Sequence, residues 1–292
     1  MSAALYDAQL REIAEAVTLT AADSAQVATL GGTVQTVAVA NARGPFLGLA
    51  EMLYATRYNV PRASAPPAAA GLAVDEDPEA FLRALRGANA LRQRYDRGMP
   101  VARESITSQY GHYVLFGQPM HEAGTGRQVR FYWNLAIGGA TAFVREIATR
   151  FERARIPFQA KLPVHPAGYA RTDTGVLYLG DDDIEAAIDP IRAAHAALRP
   201  FLRAEAPFFT LPLAPGLAFA ESPPNGDSFG LHRCDLIAEA LVRAFEQGAA
   251  DTDARLAAVR ERLTQYGLDL ERLAFNPTSR YPYRLGALAE AA

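Results

Sequence analysis

Apolar residues recur at helical spacing near the start of the chain. Leu5, Leu10, Ile13 and Val17 form one stripe, and Phe46, Leu47, Leu49, Met52 and Leu53 form a second. The first sixty residues therefore predict helix. A third stripe over 79–97 sets Phe81, Leu82, Leu85, Leu91 and Tyr95 opposite a row of arginines. Between them, residues 61–78 hold four prolines, a run of alanines and the acidic triplet Asp75-Glu76-Asp77. That composition predicts a linker or exposed loop, dividing a helical N-terminal region over 1–75 from a domain over 76–292.

Beyond residue 100 the period changes. Val114-Leu115-Phe116 and Val129-Arg130-Phe131-Tyr132-Trp133 are β-branched and aromatic runs punctuated by glycine, which predicts strands. An amphipathic helix over 139–155, carrying Phe143, Ile147 and Phe151, stops before Pro157. Strands follow from Pro157 to Leu162 and over Gly175 to Leu179, and Tyr169 to Asp173 reads as a further strand. Asp181 to Asp183 would cap a helix running to about 203, with Pro190 a candidate kink. Phe208 and Phe209 suggest one more strand. Ser228 would cap a helix ending before Gly248, and a last helix over 253–266 stops at Gly267. Strands not regularly followed by helices imply an α+β fold: a mixed or antiparallel sheet with flanking helices, preceded by the small helical region.

Composition narrows the function. Half of the 292 residues are apolar and the net charge is −3, so a general affinity for nucleic acid or anionic membrane is not indicated. No apolar run approaches the length of a bilayer span, and no secretory signal opens the sequence; a cytoplasmic protein is expected. A single cysteine, Cys234, excludes an intramolecular disulfide. The five histidines, at 112, 121, 165, 195 and 232, are scattered, so no metal is expected. Nucleotide-binding glycine signatures are absent, and no cofactor is expected. One asymmetry remains. Of 29 lysine and arginine residues only Lys161 is lysine. A guanidinium cannot give up its proton at useful pH, whereas an ammonium can, so Lys161 becomes the first candidate for proton chemistry.

Polar residues interrupt the strands around it. Arg130, Tyr132 and Asn134 alternate with Phe131, Trp133 and Leu135, and Tyr169, Arg171 and Asp173 share a second period-two set. Three strands presenting cations and phenols suggest an anion cleft. The helix opening at 228 adds free N–H groups at its start, with His232 and Arg233 on the flanks of a stripe formed by Leu231, Cys234, Ala238, Leu241, Val242 and Phe245.

Several of these segments resemble motifs of the HopA-type effector family. They are Arg130 to Leu135, Ile156 to Lys161, Tyr169 to Asp173 with Val176 to Tyr178, Ala220 to Pro223 with Ser228 to Cys234, and Asn276-Pro277. They stand in the family's order, and the resemblance covers about residues 75 to 285. Members occur among type III effectors of plant pathogens, and related proteins accompany small kinases in ribosomal peptide biosynthesis of the class V lanthipeptide and thioamitide type. There the resemblance implies a lyase that removes phosphate from phosphoserine or phosphothreonine and leaves a dehydroamino acid. The implied partners are a phosphorylated precursor peptide, a Ser/Thr kinase and a cyclase.

The residues suit that chemistry. β-Elimination needs a base for a weakly acidic Cα proton, an acid for the departing oxygen and cations for the dianion. Lys161 is expected as base and His232 as acid, with Arg171, Arg233 and Arg130 on the phosphate. Tyr132, Asn134, Tyr169, Asp173 and, within its motif, Glu221 are expected to position substrate or lysine. The arrangement also resembles the effector phosphothreonine lyases, in which the acid histidine precedes the base lysine. On that order His112 or His121 competes with His232. The alternative to a lyase is a non-enzymatic effector or leader-peptide-binding module using the same cleft.

Overall fold

A computed structural model describes residues 2–62, 77–91, 95–96, 99–100, 103–117, 127–224, 226–249 and 251–289. Its N-terminal elements are α1 (Ser2–Ala16), β1 (Val17–Ala21), β2 (Ser24–Ala28), β3 (Val34–Ala38) and α2 (Leu47–Leu53), the last continued by a π-helical turn over Tyr54–Tyr58. Next come α3 (Pro78–Ala88), β4 (Tyr95–Asp96), β5 (Met99–Pro100), β6 (Glu104–Ser105), β7 (His112–Phe116) and β8 (Gln128–Trp133). They are followed by α4 (Ala140–Ala154), β9 (Gln159–Pro163), β10 (Gly175–Gly180), α5 (Ile184–Leu198), β11 (Leu211–Ala214) and β12 (Leu217–Glu221). The chain ends with α6 (Phe229–Glu246), α7 (Thr252–Gln265) and α8 (Gly286–Ala289). The fold is α+β. Two compact units share it: Met1–Arg62, Pro207–Leu211 and Ala220–Tyr281 form the first, and Ala63–Ala206, Pro212–Phe219 and Pro282–Ala292 the second.

In the first unit α1 and the helical turns over 47–58 match the stripes in the sequence. The stretch between them does not. Residues 17–38 form an antiparallel sheet in the order β1-β2-β3. Val17, assigned by spacing to the first helix, instead opens β1, where Val17 and Leu19 are buried and Thr18 and Thr20 exposed. That alternation has a strand's period and its β-branched residues favour extended backbone, so local preference and burial agree on sheet.

Helix α6 is the centre of this unit. Its contact with the end of α2 is close enough that a Cβ at Gly230 would lie 2.4 Å from the Tyr58 ring. The buried stripe expected along α6 is too narrow. His232, Arg233, Leu236, Ile237 and Ala240 are buried too, whereas Leu231 is only partly covered and Phe245 is 37% exposed. A helix apolar over so much of its circumference is a core helix, not a surface one. α7 is capped by Asp251, which accepts from Ala254 N at 2.7 Å, and ends before Gly267, whose φ is +92°. Phe208 and Phe209 form a turn, not the expected strand; Phe209 has φ +64°, outside the extended region.

The second unit is built on strands in the order β11-β12-β8-β10-β9-β7-β6. The β8/β10, β10/β9, β9/β7 and β7/β6 pairs are antiparallel. One face carries Leu115, Ala160, Leu162, Leu177, Phe131 and Trp133, all fully buried. Phe143 of α4 meets Trp133 edge-on at 5.8 Å, and His195 of α5 lies 6.1 Å from the same ring, so these helices cover that face. α5 continues through Pro190 and ends at Leu198, giving way to a 3-10 turn before the expected limit of 203.

Candidate functional site

The opposite face of this sheet is where the chemistry gathers. Residues paired across antiparallel strands share a face. Register therefore sets Tyr132, Val176, Lys161 and Val114 in one row, and Arg130, Tyr178, Gln159 and Phe116 in the next. His112, opposite Pro163, belongs to the same face one step further along. The Tyr178 ring stands close to both cations: the Arg130 guanidinium lies 5.3 Å from its centroid and the Lys161 amine 5.8 Å. Arg130, Tyr132 and Tyr178 are buried and Lys161 is partly exposed.

This placement weakens the Lys161 ammonium. Loss of water around it, then the positive charge of Arg130, bring its pKa down to about 8, while Asp173 and Tyr132 act in the opposite sense. Burial pushes the Tyr178 phenol up to about 12. His112 is held below the usual histidine range by burial first and by Lys161 second. Its Nδ1 donates to the Tyr110 carbonyl oxygen at 2.9 Å, which makes Nε2 the acceptor of the neutral ring.

The segment expected to be a strand over Tyr169 to Asp173 is not one. Pro166–Tyr169 is a short 3-10 turn followed by loop, because two prolines and two glycines between 163 and 175 break the ladder. The loop nevertheless brings two of its expected residues to the site. Arg171 grips Asp173 with both ends of its fork, Nε to Oδ1 and Nη2 to Oδ2, each at 2.8 Å. Tyr169 is buried and donates its hydroxyl to Pro163 O at 3.3 Å, which ties down the loop. Asn134 is 1% exposed, and its side chain donates to Glu205 O at 3.0 Å. It therefore anchors the 203–216 connection and does not line the polar surface expected for it. The alternation that marks it out is sound up to Trp133, where the strand ends.

His232, Arg233 and Glu221 belong to the first unit, and there they form a buried network. Arg233 is 1% exposed and donates to Leu273 O, Phe275 O, Asn276 Oδ1 and His232 Nδ1. Since an arginine only donates, His232 Nδ1 must accept, and Nε2 carries the proton that reaches Tyr266 Oη at 3.0 Å. Burial and then Arg233 hold the His232 pKa down at about 4. The expectation that His232 stands clear of the core is thereby corrected: it is buried, neutral and hydrogen-bonded through both nitrogens. Glu221 accepts from Asn276 N at 2.7 Å and from Ser279 Oγ at 2.6 Å. Asn276 Nδ2 donates in turn to Ser222 O. The motif over 220–234 and the distant Asn276-Pro277 motif thus meet, with Glu221, Ser222 and Arg233 clamping the segment 273–279.

His121 lies outside the described residues. Two contributors carry little signal in the sequence. Tyr178 is visible there only as part of a motif. Arg203, whose Nη2 donates to Leu135 O, Tyr169 O and Arg171 O, holds the loop that carries Arg171; among so many arginines nothing distinguishes it. Among the described residues, no three of His, Cys, Asp and Glu stand together as a metal site requires. Nor is any described helix long and apolar enough to cross a membrane.

The HopA1 effector protein family matches residues 104–275, more than half of the chain and the span that carries this sheet face. The chain belongs to that family. Two solved structures are similar to it, both effector proteins of Pseudomonas syringae. The one from pathovar tomato strain DC3000 is 20% identical, with a TM-score of 0.51 over 73% of this chain and 86% of that one. The one from pathovar syringae strain 61 is 17% identical, with a TM-score of 0.45 over 78% and 94%. The first of these supports the fold. No curated protein matches the chain.

Proposed function

We propose that the chain is a carbon–oxygen lyase that removes phosphate from phosphoserine or phosphothreonine in a peptide, giving dehydroalanine or dehydrobutyrine. One observation carries this reading: the chain's single lysine, its pKa brought down to about 8, shares a sheet face with Arg130, near Arg171. At pH 7 an amine of that pKa is neutral about a tenth of the time, enough to serve as a base that an exposed lysine cannot match. Neutral Lys161 takes the Cα proton, the electron pair forms the Cα–Cβ double bond, and the Cβ–O bond breaks with phosphate leaving. Arg171 and Arg130 bind the dianion, and Tyr132 orients substrate beside the amine. The reading implies a cytoplasmic setting, a kinase that supplies the phosphopeptide and a cyclase that consumes the alkene.

For the acid we favour His112 over His232. His112 belongs to the same face as Lys161, and a bound dianion would offset the burial and the cations that depress its pKa. His232 is buried and has both ring nitrogens engaged, Nδ1 by Arg233 and Nε2 by Tyr266, whereas the His112 Nε2 is not tied to the backbone. Leaving-group chemistry separates them. His112→Ala should cripple turnover of a phosphoserine peptide while sparing a β-fluoroalanine analogue, whose leaving group needs no proton. Selective loss in His232→Ala, with His112→Ala normal, would return the role to His232.

The phosphate contact is testable by binding alone. Arg171→Ala should weaken affinity for the phosphopeptide about tenfold or more and leave the unphosphorylated peptide nearly unchanged, as read by calorimetry. Equal losses on both would make Arg171 a structural or peptide-backbone residue. Phosphopeptide binding in the wild type without loss of phosphoric acid, followed by mass spectrometry, would leave the binding module.

A further inference from the structure

The arginine that the proposed reaction needs for phosphate is already engaged. Arg171 holds Asp173 through two parallel bonds of 2.8 Å, and the Asp173 side chain is only 6% exposed against 36% for Arg171. Arg203 fixes the Tyr169 and Arg171 carbonyls, so the loop backbone is held while the Arg171 side chain reaches toward solvent. The charged and titratable groups around Lys161 come from each neighbouring element. They are His112 of β7, Arg130 and Tyr132 of β8, Tyr178 of β10, and Arg171 and Asp173 of the loop. Among those described groups Asp173 is the one carboxylate.

We infer that Arg171 and Asp173 form an exchangeable pair: a phosphomonoester draws Arg171 off Asp173, and the released carboxylate then holds the ammonium that Lys161 becomes. A guanidinium fork fits a carboxylate or a phosphate equally well in shape, but a phosphate dianion carries the greater charge, so exchange is favoured when it arrives. Before exchange, Arg171 offsets the charge of Asp173 and the amine stays easily neutral. After exchange, the carboxylate is available when Lys161 gains the Cα proton. Asp173 is then a positioning residue that makes the base stronger only when the site is loaded. Its catalytic meaning rests on the lyase reading; the exchange itself does not.

A chain with one lysine allows a direct test. Biosynthetic ¹³Cε-lysine gives a single signal, whose titration reports Lys161 alone. With saturating inorganic phosphate the wild-type midpoint should move up by about one pH unit, part from phosphate and part from Asp173. In Asp173→Asn the phosphate part alone remains, and the movement should be less than half as large. Asp173→Glu should recover most of it. Equal movement in wild type and Asp173→Asn overturns the exchange. Should the Asn variant not fold, Arg171→Gln at saturating phosphate serves, since Asp173 is then already released: a full wild-type response would again overturn it. Phosphate loss from a phosphopeptide with equal movements leaves the lyase without the exchange. The expected movements without any phosphate loss leave the exchange without the lyase.

Discussion

Replacing Lys161 with arginine should lower the rate of phosphate elimination by a factor on the order of 100 or more, while phosphopeptide affinity survives. Arginine keeps the positive charge beside Arg130 and Tyr178 but cannot become a neutral base at any usable pH. The wild type should show the complementary signature. Its kcat/KM should rise with pH toward about 8, where half of Lys161 in the free protein is neutral, and then level off. The direction follows from the sign of the shift: a depressed pKa puts the neutral amine within reach from the acid side. Mass spectrometry of a phosphopeptide, following loss of phosphoric acid, measures both. Near-normal turnover in Lys161→Arg would remove Lys161 from the chemistry and leave the sheet face as a binding surface.

Lys161 is legible in the sequence because it rests on a difference of kind, lysine against arginine. The sheet around it is legible for a similar reason. Val129 to Trp133 and Gly175 to Leu179 are too rich in aromatic and β-branched residues to suit a surface helix. What one strand cannot report is its register. That Lys161 and Tyr132 both oppose Val176, and that Tyr178 opposes Arg130, depends on which strand lies next to which, and no local period encodes that. The loop over 169–174 misleads for a related reason: Tyr169, Arg171 and Asp173 keep the alternation of a strand without the backbone partners of one. In the first unit, Val17 continues a helical spacing by coincidence while its neighbours Thr18, Leu19 and Thr20 have already turned to period two. His232 and Arg233 are the most instructive departure. Polar side chains at a helix start look solvent-facing in a helical projection, unless distant residues such as Leu273, Asn276 and Tyr266 are known to satisfy them.

That network sets the expectation for Arg233. Arg233→Ala should destabilise the protein by about 3–5 kcal/mol, because it leaves the Leu273 and Phe275 carbonyls, Asn276 Oδ1 and His232 Nδ1 without their shared donor in a buried place. In a protein of this size that corresponds to a fall in Tm of about 5–8 °C. Arg233→Lys should recover little, since a single ammonium cannot reach acceptors spread around a planar fork. The deficit relative to wild type should narrow in acid. His232 has a folded-state pKa near 4 against an ordinary value near 6.5, so its neutral form supports the fold fully above 6.5 and that support is lost as pH falls toward 4. Removing Arg233 removes part of the cause of that depression, so the variant should lose stability with falling pH less steeply than the wild type across this window. Thermal melts at pH 7.5 and 5 would measure both effects. A variant that melts within about 2 °C of wild type at pH 7.5 but no longer distinguishes phosphopeptide from peptide would identify Arg233 as a ligand to phosphate. The clamp on 273–279 would then have to be held by Glu221 and Asn276 alone.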